Sequence, residues 1–260
     1  MTDFHVHTCY CHGEGTPEEY VQSAIRKGMP KLGLVGHAFT DFDGSYCMPQ
    51  RAEDFRREIA RLKEAYAGKI ELFCGVEMDA FSDEDPKLFD YALGSVHYVE
   101  VNGAYYSVDH TEEIQKAMVR EIFGGDWYSF AENYYRTVGE VVGRTDCDII
   151  GHFDLLTKFN EGGALFDETH PRYVAAWQEA AEKLLKTGRL FEINMGAIGR
   201  GLRTEPYPAL PIAKRLAEHG ARFVLSSDAH KPENIGLVFD AWREAYGAFV
   251  PIVEFDPKEK

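Results

Sequence analysis

The stretch Asp3-Phe4-His5-Val6-His7-Thr8-Cys9-Tyr10-Cys11-His12-Gly13-Glu14-Gly15 places three imidazoles, two thiols and two carboxylates within thirteen residues. Two metal chemistries compete for it. Cys9-x-Cys11-His12 has the grouping of a thiolate zinc site. His5-x-His7 has the spacing at which a β-strand projects two side chains to one face. The other histidines decide between them. His37 closes the apolar run "LGLVGH", Glu77 closes "IELFCGVE", His97 closes "LGSVH" and His152 closes "DIIGH", while Asp228 and His230, again two apart, follow "RFVLSS". A single buried histidine is usually a hydrogen-bonded core residue. Packing gives no reason, however, for imidazoles to recur at the same end of successive strands, which in parallel α/β folds is the end that carries active sites. With His12, the set holds nine donors, more than the three or four protein ligands of one catalytic zinc. Two or three divalent transition metals are therefore expected, with Glu77 or Asp228 as bridges. The imidazole-rich mix suits Zn, Mn or Fe better than Ca or Mg.

The elements that must position these residues are legible as seven short runs with little polar alternation, as buried parallel strands require. They span Asp3 to Thr8, Lys31 to His37, Ile70 to Glu77, Ala92 to Tyr98, Asp148 to His152, Leu190 to Met195 and Arg222 to Ser227. Helical patterns separate them. Thr16-Pro17-Glu18-Glu19 reads as a capping box with a first-turn proline, and "AEDFRREIARLKEAYA" puts Phe55, Ile59, Leu62 and Tyr66 on one face. The segment from Asp109 to Arg144 predicts two helices broken at Gly124-Gly125. Strand-helix alternation of this kind, with no linker or repeat, predicts one α/β domain over residues 1–260, built as a barrel or a wide doubly wound sheet.

The ordered set of motifs resembles the polymerase and histidinol phosphatase (PHP) superfamily of metal-dependent phosphoesterases. The likeness runs from "DFHVHT" to "SSDAH" and is greatest to the histidinol-phosphatase branch, whose signatures "GSVHYV", "GHFDLLTKFN" and "EINMGAIGRG" resemble. The resemblance implies a distorted seven-stranded (β/α)7 barrel and a trinuclear metal centre. It implies that His5, His7, Glu77 and Asp228 hold one metal, that Glu77 bridges to a second held by His97 and His152, and that His12, His37 and His230 hold the third. It further implies hydrolysis of a small phosphorylated metabolite, foremost L-histidinol phosphate in histidine biosynthesis, by a metal-activated hydroxide, with Asp228, His230 and Arg200 as catalytic residues. Nucleotides and protein phosphotyrosine are alternative substrates. A metal-dependent amidohydrolase is the alternative from another class, since that fold also opens on His-x-His.

The loop "NMGAIGRGLRTEPYP" offers Arg200 and Arg203 as a phosphate clamp, because a guanidinium fork matches non-bridging phosphate oxygens. Lys158 is a further candidate for phosphate, and Asp43 and Tyr46 for the cationic part of a substrate. The cysteines are expected to be reduced and incidental to the metal site: five, unevenly spaced in a long chain, do not form a disulfide framework. A net charge of −15 excludes a general nucleic-acid-binding surface. No run approaches the length of a membrane span, and Met1-Thr2-Asp3 lacks the basic start of a signal peptide, so a cytoplasmic location is expected. The sequence leaves the oligomeric state open.

Overall fold

The apolar runs become parallel strands because helices cover one face and the other turns inward. The computed structural model describes residues 1–44, 47–48 and 52–259. Among these the strands are β1 (Lys31–Leu34), β2 (Glu71–Asp79), β3 (Tyr91–Ser95), β4 (Tyr98–Val101), β5 (Ala104–Ser107), β6 (Ile149–Ile150), β7 (Leu190–Asn194) and β8 (Phe223–Ser226). The helices are α1 (Pro17–Arg26), α2 (Ala52–Ala65), α3 (Glu112–Ile122), α4 (Trp127–Val138), α5 (Val141–Thr145), α6 (Pro171–Leu185), α7 (Gly196–Gly199), α8 (Leu210–Glu218) and α9 (Phe239–Gly247). Six strands pair in parallel, in the order β1-β2-β3-β6-β7-β8, as one curled sheet.

The segment expected as the first strand serves both edges of that sheet. It makes parallel bridges Asp3↔Leu32 and His7↔Val35 on one side and Val6↔Ala229 on the other. Gly33 N donates to Asp3 O (2.8 Å), Val35 N to Val6 O (2.9 Å), and His7 N to Ala229 O (2.9 Å). Its hydrogen bonds are divided between two neighbours, so it builds no continuous ladder with either.

Other local expectations are met with adjusted ends. At α1, Thr16 N donates to Glu19 Oε2 (2.7 Å) while Glu19 N donates to Thr16 Oγ1 (3.4 Å), the reciprocal pair of a capping box. The region after Asp109 holds α3 and α4 on either side of Gly124-Gly125, with α5 as an added short turn. The run Ala92 to Tyr98 is divided: β3 ends at Ser95, and Tyr98 begins a separate antiparallel hairpin, β4–β5. Its turn is Asn102-Gly103, with φ of 55° and 79°, the positive pair a two-residue hairpin turn requires.

Alternate residues of each strand face the same way, and the inward positions change character along the strands. They run Phe73, Gly75, Glu77 on β2; Tyr91, Leu93, Ser95 on β3; Leu190, Glu192, Asn194 on β7; and Val224, Ser226, Asp228 on and beyond β8. The apolar starts form one buried cluster with Phe4, Val35, Ile149 and Phe255. Helices α4 and α6 pack outside, where the Tyr135 and Tyr173 hydroxyls meet at 2.9 Å. No helix among the described residues is long and apolar enough to cross a membrane.

Candidate metal centre

The polar ends of the inward positions converge at the C-terminal mouth of the sheet. Glu77, 1% exposed, is the hub. Its Oε2 lies 3.2 Å from His5 Nε2, 3.2 Å from His7 Nε2 and 3.1 Å from His37 Nδ1. Its Oε1 lies 3.0 Å from His152 Nε2 and 3.4 Å from His97 Nε2, and accepts the Ser95 hydroxyl at 2.7 Å. On the other side, Asp228 Oδ1 is 3.5 Å from His7 Nε2, 3.7 Å from His5 Nε2 and 3.5 Å from His230 Nδ1. His230 Nε2 meets His12 Nε2 at 2.7 Å. All nine sequence-predicted ligands are thus at one end of the sheet.

Donor atoms converge to within 4.8 Å in three groups: His5, His7, Asp228; His37, Glu77, His97; and His7, His37, His230. Among the described residues the grouping departs from that implied by family resemblance: His37 and His7 are each shared between two groups, Glu77 joins only His37 and His97, and His12 and His152 fall in none of the three. The backbone serves this convergence. Asp228 adopts φ 46°, a strained left-handed conformation of the kind that concentrates at functional sites. A Cβ at Gly196 would lie 2.3 Å from Asp228 Oδ2 and 2.8 Å from Arg200 Nη2, so only glycine fits beneath that pair.

The residues fit a metal better than they fit one another. Glu77 Oε2 is buried and accepts no hydrogen bond, although three imidazole nitrogens stand close to it. His5 Nε2 and His7 Nε2 face each other at 3.0 Å. Separations near 3 Å are those of tetrahedral ligands around one ion, whose edges are roughly 3.3 Å for bonds of ~2.0–2.1 Å. In the metal-free chain, protons take part of the cation's place. Burial works against a charged His5, but Glu192, Glu77 and Asp228 outweigh it and hold its pKa well above the ordinary value. Burial opposes charge on His7 as well, yet Cys11 and Glu77 push its pKa up to about 9. Burial, only partly offset by Glu77 and Asp228 respectively, keeps His37 and His230 well below it. Against the cost of burial, the imidazoles hold Glu77, and Arg200 and His5 hold Asp228, far below the usual carboxylate range.

The substrate candidates separate. Arg200 borders the cluster: its Nη2 donates to Asp228 Oδ2 at 3.2 Å, and Nη1 lies 3.1 Å from His230 Nδ1. Together with Lys231, Asn234 and Leu237 these residues line a cavity of about 300 Å³. Arg203 is 8% exposed and pins another loop, donating from Nη1 to Thr157 O and Oγ1, both at 2.6 Å. Lys158 donates to Asp109 Oδ2 at 2.9 Å. The neighbouring Val108 N donates to His97 O at 2.8 Å, which places this ion pair beside the imidazoles, and despite burial Lys158 and His97 bring the Asp109 carboxyl down to about 2. Asp43 accepts the Tyr98 hydroxyl at 2.6 Å, tying the loop after His37 to the β4–β5 hairpin. Tyr46 lies outside the described residues.

Sequence reasoning passed over the carboxylates behind the ligands. Asp79 Oδ2 accepts the His97 amide at 2.6 Å. Glu192 Oε1 lies 2.5 Å from His5 Nδ1. The available signal was a charged residue inside the apolar run "LFEIN", since a charge buried in a strand is costly unless it is paired. Cys11 was also passed over as incidental; its Sγ lies 3.4 Å from His7 Nδ1. None of the five cysteines is in a disulfide.

A curled parallel sheet with an imidazole–carboxylate cluster at its C-terminal mouth defines a class of metal-dependent α/β hydrolases. The PHP domain family model matches residues 3–196, and the chain belongs to that family. Within it, the chain is 31% identical over 262 residues to a Deinococcus radiodurans protein named "Probable histidinol-phosphatase", covering 94% of this chain and 92% of that one. It is 26% identical over 268 residues to the histidinol-phosphatase of Bacillus subtilis, covering 93% and 98%. The fold is shared with a histidinol phosphate phosphatase from Lactococcus lactis solved with zinc, L-histidinol and phosphate (TM-score 0.69, 19% identity, 98% of this chain and 97% of that one).

Proposed function

We propose that this chain is a metal-dependent phosphatase that hydrolyses L-histidinol phosphate to L-histidinol and phosphate, in the cytoplasm, as a step of histidine biosynthesis. The observation that carries the reading is the convergence of three donor groups beside an arginine that faces open space. His5, His7, Asp228 and Glu77 would hold one divalent ion, Glu77 together with His97 and His152 a second, and His37, His230 and His12 a third. Bound there, such ions acidify water and neutralise phosphoryl charge.

The chain's own residues do the rest. Arg200 clamps the non-bridging phosphate oxygens, a role supported by its position against Asp228 and His230. Arg203 is the weaker candidate because Thr157 occupies its guanidinium. Asp228 and His230 hold the reacting end against Arg200. Lys158 and Asp109 present a paired charge to the rest of the substrate, and Asp43 orders the loop at the mouth. The segment 3–7, bonded to both sheet edges, is read as the seventh strand that closes a distorted (β/α)7 barrel, and residues 1–260 as one domain.

A comparison of kcat/KM across phosphomonoesters tests the assignment. L-histidinol phosphate should exceed nucleotides, phosphotyrosine peptides and a generic aryl phosphate by at least about a hundredfold, the discrimination that buried polar contacts to a leaving group supply. Equal values for histidinol phosphate and the aryl phosphate would defeat it. In H2(18)O, one solvent oxygen should enter the product phosphate.

A further inference from the structure

The charged inward position on β7 is Glu192, 1% exposed, with no metal role and flanked by Phe191 and Ile193 on the opposite face. Its two oxygens are divided. Oε2 accepts the His152 amide at 2.8 Å and the Asn194 side-chain amide at 3.0 Å. Oε1 accepts the Ser226 hydroxyl and lies 2.5 Å from His5 Nδ1. One carboxylate therefore joins the segment 3–7, the end of β6, β7 and β8, all directly beneath the cluster.

We propose that Glu192 is a positioning residue, which holds the proton of His5 on Nδ1 and thereby aims the Nε2 lone pair into the space shared with His7, Glu77 and Asp228. The proposal rests on the reading of that cluster as a metal centre. Its logic is tautomeric. An imidazole ligates through a nitrogen without a proton, so its other nitrogen must carry one, and an acceptor there fixes both choice and orientation. Glu192 Oε1, 2.5 Å away, is the acceptor that faces His5 Nδ1.

Glutamine at this position reverses the arrangement. Its carbonyl oxygen must take the place of Oε2, where two N–H donors point. Its amide NH2 then faces His5 Nδ1 and can only donate. That drives the imidazole proton to Nε2, the nitrogen facing Glu77 and His7, and blocks it as a ligand. Aspartate keeps the charge and both acceptor oxygens but draws back by one methylene.

The test uses the full-length protein stripped with chelator and reloaded with Co2+, as wild type, E192Q and E192D. Stoichiometry and affinity come from competition with a chromophoric chelator, geometry from the visible Co2+ bands. E192Q should weaken one site by 10–100-fold and alter its bands, leaving the others unchanged. E192D should recover most of both, which a loss of mere packing would not predict. Equal affinity and spectra for E192Q and wild type would overturn the proposal. Wild type that takes up no Co2+ would overturn the metal-centre reading itself, and this proposal with it. Should E192Q not fold, long-range 1H–15N spectra of zinc-loaded wild type decide: a protonated Nδ1 on His5 supports the assignment, and a protonated Nε2 refutes it.

Discussion

The two ends of the sheet interior are built from the same strands and obey opposite rules. At the N-terminal end, Phe4, Phe73, Tyr91 and Phe255 pack ring against ring, with Phe4 5.4 Å from Tyr91 and 5.2 Å from Phe255. The Tyr91 hydroxyl within that cluster is satisfied, donating to Phe4 O at 2.7 Å. At the C-terminal end, seven imidazoles and two carboxylates crowd together, and Glu77 Oε2 accepts nothing. The first arrangement is complete as it stands. The second needs a cation. Four residues along β2, from Phe73 to Glu77, are enough to cross from a layer that stabilises the fold to one that the fold must support.

This contrast breaks if damage at one end has the consequence expected at the other. The largest effect is expected at the hub. Glu77→Gln should lower kcat/KM by on the order of a thousandfold or more and reduce bound metal, because one carboxylate serves two of the proposed ions. The chelator-stripped variant should unfold in urea close to stripped wild type. A variant that kept full metal content would remove Glu77 from the centre.

Next in size is the opposite end. Phe255→Ala should cost about 3 kcal/mol in urea unfolding, at the lower end for a buried phenylalanine because the ring sits where the sheet meets the C-terminal segment. Metal per folded chain should not change. Loss of metal in this variant would show that the aromatic floor positions the ligands, and the two layers would no longer be separable.

Arg200→Ala follows, with an expected fall in kcat of about a hundredfold and metal content intact, the size typical of losing one donor to a developing negative charge. The measurement pairs steady-state kinetics with metal analysis. If metal is lost instead, Arg200 supports Asp228 and the phosphate clamp must be sought at Lys158.

The sequence exposed the ligand layer more clearly than the layers around it, for a physical reason. Ligands are the residues whose types are expensive to bury, so His5, His7, Glu77 and Asp228 stand out wherever an apolar run ends. The curled parallel sheet was legible from those same runs. The first strand's pairing was not, because nothing in "DFHVHT" states that its hydrogen bonds go to two different edges. The division of Ala92 to Tyr98 was signalled by Asn102-Gly103, a hairpin turn that the helix-rich surroundings obscured. The clamp was legible only as a pair of arginines: that Thr157 captures Arg203 depends on a loop more than forty residues away, which no local pattern records. Glu192 carried a signal, a charge in an apolar strand, but its meaning lies in a histidine 187 positions earlier.

The smallest expected effect concerns the cysteines of the opening stretch. Cys11 Sγ lies 3.4 Å from His7 Nδ1, and the thiol is held well below its ordinary pKa by His7 and His12 despite burial. It stands to His7 roughly as Glu192 stands to His5: an acceptor behind a ligand, with sulfur in place of a carboxylate. A serine hydroxyl also accepts from an imidazole N–H but carries no charge, so Cys11→Ser should retain all bound metal and lose about tenfold in affinity, the scale of one charge-assisted hydrogen bond. Cys9→Ser should change neither. Competition with a chromophoric chelator resolves both. Were Cys11→Ser to release a metal ion outright, sulfur would itself be a ligand, and the upper layer would be a mixed thiolate–imidazole site in which the zinc-like grouping of Cys9, Cys11 and His12 has a direct part.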